Sequence, residues 1–218
     1  MSTKKQTAII LSGCGVYDGA EIHEAILTML AIAKQNADYT IFAPDIEQHH
    51  VINHLKGEET TEKRNVLVEA ARIARGDIKA LSDYRVQDFD ALFIPGGFGA
   101  AKNLSSFAFD GANCTIEKET ERAIIETHSA KKPIGALCIT PALIAKVLKD
   151  VKVTIGQDKA TAEAIEQMGS THANSNHGEV IIDEANKLAT TPCYMLDANL
   201  VQIADGADNI VKAVLNMA

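Results

Sequence analysis

Pro133-Ile134-Gly135-Ala136-Leu137-Cys138-Ile139-Thr140-Pro141 decides how this chain is read. Apolar residues run straight into a cysteine, and Ala142-Leu143-Ile144-Ala145-Lys146-Val147-Leu148 follows with helical character. The order predicts a strand, a sharp turn and a helix, with the cysteine on the turn. Such a turn lifts the side chain out of the sheet. The new helix points free N–H groups and its positive end at the sulfur. An ordinary thiol has a pKa of about 8.5, so little of it is thiolate at neutral pH. Lowering that value by about two units takes roughly 2.7 kcal/mol of selective stabilisation of the anion. A helix start and a pair of hydrogen bonds are of that order. The other reading of the segment is a small buried hydrophobe at a strand end, as many free cysteines are.

Outward from this point the chain alternates strands and helices. Thr7-Ala8-Ile9-Ile10-Leu11 is a short apolar run ending at Ser12-Gly13-Cys14-Gly15. A helical pattern runs from about Glu21 to Lys34, with Ile22, Ala25, Ile26, Met29, Leu30 and Ala33 on one face, and Asn36 stops it. Tyr39 to Ala43 is a second strand, closed by Pro44-Asp45, and Ala91 to Ile94 a third, entering Pro95-Gly96-Gly97-Phe98-Gly99. Ile116 to His128 reads as a helix, Pro133 to Leu137 as a fourth strand and Val151 to Ile155 as a fifth. Buried-type strands alternating with helices imply an α/β fold, a parallel sheet covered on both faces. Active sites in such sheets lie beyond the carboxyl ends of the strands. Ser12-Gly13-Cys14-Gly15, Pro95-Gly96-Gly97 and Cys138 all fall there. Residues 44–88 are long for one connection. They read as an insertion covering one edge of the site, within a single domain spanning 1–218. Near the end, Glu179-Val180-Ile181-Ile182 and Lys187-Leu188-Ala189-Thr190-Thr191 flank Asp183-Glu184-Ala185-Asn186 as a hairpin, and helical segments follow.

Composition narrows the classes. The chain has 218 residues, is 46% hydrophobic and 23% charged, and carries a formal charge of -8, so a full core is available to a soluble protein. The acidic balance disfavours nonspecific nucleic-acid binding and attraction to anionic membranes. No apolar run approaches the length of a membrane span. The start, Met1-Ser2-Thr3-Lys4-Lys5-Gln6, leads into a strand-like run rather than a signal-peptide core. Cys14, Cys114, Cys138 and Cys193 are widely spaced, with neither a zinc pattern nor a disulfide framework. A reducing cytoplasm is the expected compartment.

A reactive cysteine needs a partner. Glu21 and Glu24 lie three apart at the start of the first helix and share a face. Either could reach the site, and either could serve only the helix dipole, worth under about 1 kcal/mol at an exposed position. Of the histidines, His23, His49, His50, His54, His128, His172 and His177, none sits in a setting that points back to Cys138. The adjacent pair His49-His50 lacks further spaced ligands, so no metal is expected.

Three longer runs carry a family resemblance. They are Ser12-Gly13-Cys14-Gly15-Val16-Tyr17-Asp18-Gly19-Ala20-Glu21-Ile22-His23-Glu24, Pro95-Gly96-Gly97-Phe98-Gly99-Ala100-Ala101-Lys102-Asn103-Leu104 and Thr190-Thr191-Pro192-Cys193-Tyr194-Met195. With the cysteine turn, they make the whole chain resemble the ThiJ/PfpI superfamily, relatives of class I glutamine amidotransferases. Within it they match the bacterial enhancing-lycopene-biosynthesis (isoprenoid) branch. The resemblance implies a flavodoxin-like three-layer sandwich with Cys138 as nucleophile and Glu24, rather than Glu21, as its carboxyl partner. It also implies an oxyanion pocket lined by the N–H groups of Gly97 and Ile139, with Gly96 beside them at the substrate. Two departures stand out. Where amidotransferases carry a histidine after the fifth strand, this chain reads Thr154-Ile155-Gly156-Gln157-Asp158. The turn continues Cys138-Ile139-Thr140-Pro141 rather than through glycines. Glutaminase activity is therefore not expected, and Cys193, where the near family has alanine, reads as structural.

The resemblance implies a cofactor-free glyoxalase of the hydro-lyase class, converting glyoxal to glycolate through a Cys138 hemithioacetal, with apparent deglycation as a by-product. An ionised Glu24 beside the sulfur would oppose the thiolate, so Glu24 must be protonated when Cys138 is not, and the two titrate as a pair. The expected partner is a small dicarbonyl, with no nucleic acid and no membrane, and a homodimer is left open. The alternative is a redox-responsive or interaction protein of the same fold without turnover. No aspartate-rich Mg²⁺ motif or prenyl-diphosphate site accompanies the isoprenoid label.

Overall fold

The computed structural model describes residues 4–218; of the opening stretch read as the lead into a strand, residues 1–3 lie outside the described residues. In chain order the strands are β1 (Gln6–Ile10), β2 (Asp38–Ala43), β3 (Ile52–Asn53), β4 (Glu58–Glu59), β5 (Lys79–Ala80), β6 (Ala91–Ile94), β7 (Ile134–Leu137), β8 (Lys152–Val153), β9 (Thr171–His172), β10 (Ile181–Asp183) and β11 (Leu188–Thr191). The helices are α1 (Ile22–Lys34), α2 (Val66–Ile73), α3 (Phe98–Lys102), α4 (Phe107–Asp110), α5 (Lys118–Ser129), α6 (Thr140–Leu148), α7 (Lys159–Gln167) and α8 (Leu200–Met217).

The main sheet runs β10-β11-β7-β6-β1-β2-β5. It is parallel throughout except for the β10–β11 hairpin, which is antiparallel with Ile181 opposite Thr190. Its central strands are buried on both faces because side chains alternate at a period of two. Ala8 and Ile10 of β1, Leu92 and Ile94 of β6, and Ile134 and Ala136 of β7 pack with α5, α6 and α7. Ile9, Ala91, Phe93 and Leu137 pack on the other face with α1, α2 and α8. The flavodoxin-like sandwich and the terminal hairpin follow the expectation. Leaving β1, the chain builds β2 on one side and then crosses to β6 on the other. The switch point therefore lies between β1 and β6, where such sheets open a crevice.

Two departures concern the edges. Val151 to Ile155 does not supply a fifth strand of the main sheet. Only Lys152–Val153 is extended, and it pairs in parallel with β9 in a separate two-stranded sheet. The place beside β7 is taken by β11, which is wholly buried and is held on its other side by β10. The segment 44–88 divides into parts. Its hairpin, β3–β4, meets the glycine loop after β1, where Ile52 N donates to Asp18 Oδ2 at 2.6 Å and the His54 ring stacks on Tyr17 at 4.9 Å. Its remainder supplies α2 to one face and β5 to the far edge of the sheet.

Candidate active site

Cys138 occupies the turn between β7 and α6 with φ of 61°, left-handed backbone that a non-glycine residue adopts at a cost. The neighbouring chain holds it there. Cys138 N donates to Thr191 O at 2.9 Å. Thr140 Oγ1 donates to Ile94 O and Leu137 O, each at 2.8 Å, tying the helix start to two strand ends. Pro141 sits in the first turn of α6, where its missing N–H costs nothing. The sulfur therefore faces the carboxyl end of the sheet, on a residue only 7% exposed.

Glu24 meets it from the first turn of α1. The residue is 0% exposed. Its Oε2 accepts from Gly96 N at 2.9 Å and its Oε1 from Tyr194 N at 3.2 Å, so residues far apart in sequence converge on one carboxyl. The carboxyl lies close to the Cys138 side chain, and each group shifts the titration of the other. Burial, followed by the charge of Glu21, raises the Glu24 pKa to about 8, against the pull of the Tyr194 and Gly96 N–H groups. Glu24 is thus a carboxylic acid at neutral pH, able to donate to sulfur. Burial, and then a charged Glu24, push the Cys138 thiol well above its ordinary value, while the N–H groups of Gly97 and Ile139 pull it down. Protonating Glu24 removes the second of those upward pushes and turns the carboxyl into a donor. The two groups titrate as a coupled pair, in which charge on either one opposes charge on the other.

Cys138, Glu24, Gly96, Gly97 and Ile139, the residues expected from the sequence, are thus brought together. Glu21 has a different place from the one its spacing suggests. It lies outside the helix as the N-cap of α1, and its Oε2 accepts from Glu24 N at 2.7 Å. The close approach of the two glycine-bearing loops explains their composition. Glu21 N donates to Gly96 O at 2.9 Å, and a Cβ at Gly97, whose φ is 100°, would lie 2.4 Å from Glu21 N and from Gly19 O. A Cβ at Gly96 would lie 2.4 Å from Cys138 Cβ and 2.9 Å from both Cys138 Sγ and Glu24 Oε2. Overpacking of this kind costs about 1–3 kcal/mol. Gly96→Ala should therefore lower Tm by roughly 2–12 °C, at about 2–4 °C per kcal/mol for a chain of this size. It should also break the Glu24–sulfur contact, read as a displaced pH profile of Cys138 alkylation. A thermal scan and alkylation profile unchanged from wild type would show that the two loops do not meet as described.

A cavity of about 510 Å³ opens over the sulfur, with Cys138, Gly97, Ile139, Glu21 and Tyr194 in its lining. Tyr194 and Asp158 both line it, a place the sequence reading did not give them. Tyr194 follows Cys193, which has φ of 43°, and its hydroxyl meets His23 Nδ1 at 3.0 Å. The buried strand ending at Thr191, followed by Pro192, was the available signal. Asp158 caps α7, with Oδ1 accepting from Thr161 N at 2.8 Å, and lines the cavity from the stretch that replaces the amidotransferase histidine. No histidine lines the cavity among the described residues. His172 lies in β9, where its Nε2 accepts from Ile155 N at 3.2 Å. Cys14, half-buried in the glycine loop, is not in the lining, and Cys193 is 5% exposed. Among the described residues no group of three or more His, Cys, Asp or Glu side chains is placed to hold a metal ion.

A mostly parallel α/β sandwich with a cysteine on a strained strand–helix turn, faced by a buried glutamate, defines the ThiJ/PfpI class. Comparison with known proteins narrows this. The chain is 48% identical over 224 residues to a rat (Rattus norvegicus) protein named ES1 protein homolog, mitochondrial, spanning 98% of this chain and 84% of the relative. It is 47% identical over 222 residues to a human (Homo sapiens) protein named glutamine amidotransferase-like class 1 domain-containing protein 3, mitochondrial, spanning 97% and 83%. The chain belongs to this family of ES1, glutamine amidotransferase-like class 1 proteins. No family model matches it. A crystal structure of an isoprenoid biosynthesis protein with amidotransferase-like domain from Ehrlichia chaffeensis superposes with a TM-score of 0.90 at 41% identity, covering 98% of this chain and 100% of that one. Glyoxalase III from Candida albicans shares the fold, with a TM-score of 0.63 at 15% identity over 96% and 97% of the two chains. The ThiJ/PfpI resemblance and its isoprenoid-labelled branch are borne out. The expectation of a cytoplasmic protein is corrected: the rat and human relatives are named mitochondrial. Unpaired, widely spaced cysteines say that no disulfide framework is built; they do not name a compartment.

Proposed function

We propose that this protein is a cofactor-independent glyoxalase that converts glyoxal and water to glycolate. The observation that carries the reading is the fully buried Glu24 carboxyl set close to a cysteine on a strained strand–helix turn, with the Gly97 and Ile139 N–H groups beside the sulfur. The thiolate attacks one aldehyde carbon and forms a C–S bond, while the carbonyl electrons move to oxygen. The Gly97 and Ile139 N–H groups receive that oxyanion. Glu24 gives it a proton and becomes the base. It then removes the hydrogen from the sulfur-bearing carbon to leave an enediol, and returns a proton to the neighbouring carbon. The product is a glycolyl thioester. Water cleaves it, releasing glycolate and restoring the thiol. No external oxidant or reductant is needed, because one carbon is oxidised as its neighbour is reduced.

Without a histidine in the cavity the site lacks the base that amide hydrolysis would require, which argues against a glutaminase despite the relatives' names. The isoprenoid label of the Ehrlichia protein finds no counterpart in the cavity's chemistry. The deciding experiment is glycolate production by purified protein in large excess over enzyme, with and without EDTA. Many turnovers, unchanged by EDTA, are expected. At most one equivalent consumed per chain would point instead to a redox-responsive or scavenging thiol. Loss with EDTA and recovery with zinc or nickel would replace the mechanism with a metal-dependent one.

A further inference from the structure

The cavity over Cys138 is far larger than glyoxal requires. Its volume of about 510 Å³ lies in the range that accommodates drug-sized ligands, about 300–1,000 Å³. Much of its wall is apolar, from Val16, Phe98, Phe107, Ala108, Ile139 and Met195. Phe98 is 50% exposed, and the Lys102 ammonium lies over its ring at 5.2 Å from the centroid. The charged groups in the lining are the carboxylates Glu21 and Asp158, and no lysine, arginine or histidine lines it among the described residues. The Asp158 carboxyl is held below the usual range by hydrogen bonds from Thr161, so it is ionised at neutral pH. Glyoxal would leave the apolar wall wet, and an anionic substituent would meet two carboxylates in the lining itself.

We infer that the site is built for neutral 2-oxoaldehydes carrying an aryl or branched-alkyl substituent, R–CO–CHO, which it converts with water to R–CH(OH)–COO⁻ and a proton. This rests on the glyoxalase reading and names its substrate class. Cys138 attacks the aldehyde carbon, because the ketone carbon bears R. The hydrogen leaves that carbon for Glu24, and a proton is delivered to the former ketone carbon. The C–S bond breaks when water attacks the resulting thioester. R lies along the Phe98 and Phe107 wall throughout.

The test compares kcat/KM for glyoxal, phenylglyoxal and 4-carboxyphenylglyoxal. A second arm measures Cys138 alkylation by iodoacetamide, 2-iodo-N-phenylacetamide and iodoacetate, each divided by its rate with free cysteine. Phenylglyoxal is expected to exceed both glyoxal and the carboxylate analogue at least tenfold. The phenyl amide should show the same advantage in alkylation. Ala108→Phe, which places a ring inside the cavity from its exposed rim, should bring both ratios down towards one. Turnover of glyoxal equal to or better than phenylglyoxal would overturn this inference and leave the glyoxalase reading standing. If no oxoaldehyde is turned over, the glyoxalase reading falls, and alkylation decides the cavity. A tenfold phenyl preference abolished by Ala108→Phe would keep the apolar-ligand assignment, and equal normalised rates would end it.

Discussion

Cys138→Ala is expected to fold and to form no glycolate above the uncatalysed rate. The proposed reaction has one nucleophile, and removing a nucleophile that acts as a unit with its proton-transfer partner costs on the order of 10⁶ in kcat in a well-studied case. Alanine keeps a Cβ and no more, so it should occupy the turn at φ of 61° about as well as cysteine does. The variant also separates two chemistries. Cys14 lies outside the cavity lining, so it offers no second route at this site. Alkylation of the wild type at neutral pH should label Cys138 ahead of Cys14, Cys114 and Cys193. Glycolate formation by the alanine variant within tenfold of wild type would remove Cys138 from the chemistry.

Glu24→Gln should leave a thiol that still traps electrophiles while turnover falls by roughly 10²–10⁴, the usual share of a general acid–base group. The glutamine amide donates to sulfur as the protonated carboxyl does, but it takes up no proton. Its substitution is not perfectly isosteric. Both Glu24 oxygens accept backbone N–H groups, from Gly96 and Tyr194, and an amide nitrogen can accept neither. One buried N–H is left unpaired, at about 1–3 kcal/mol.

Stability against pH provides a second readout. The Glu24 pKa is raised to about 8 in the folded protein, above that of an unfolded glutamate. The stability contributed by the protonated acid is therefore fully present below the unfolded pKa, near 4.3, and is lost as pH rises through about 8. Glutamine does not titrate. The Tm advantage of wild type over Glu24→Gln should be larger at pH 5 than at pH 8. A difference that is flat with pH would mean that Glu24 is not buried as an acid. Near-native turnover by the variant would limit the residue to packing.

The elements at the site were legible because each rests on local chemistry. An apolar run broken by one cysteine and followed by Thr140-Pro141 already encodes a strand, a turn and a helix. Gly96 and Gly97 after β6, and the glycines after β1, mark loops that other backbone approaches closely. The choice of Glu24 over Glu21 was different in kind. Their spacing puts either near the helix start, and only the family resemblance favoured Glu24. In the folded chain one turn of helix separates a cap from a buried acid. Glu21 turns back to Glu24 N, while Glu24 points at Gly96 and Tyr194.

Val151 to Ile155 shows the opposite limit. Its alternation suits a strand, yet strand pairing is a competition for edges. The hairpin β10–β11 wins the place beside β7 by burying all of Leu188–Thr191, so β8 pairs with β9 instead. Asp158 and Tyr194 reached the cavity by the same kind of long-range decision, as consequences of where α7 and the turn after β11 come to rest. The sequence by itself determined the period-two strands, the helix starts, the cysteine turn and the glycine loops, because these are fixed by steric and hydrogen-bonding rules acting over a few residues. Only the tertiary structure decided the full burial of Glu24 beside Cys138, the carboxylates and aromatic wall of the cavity, and the order of the sheet edges. Each of these depends on burial, and burial belongs to residues that meet across most of the chain.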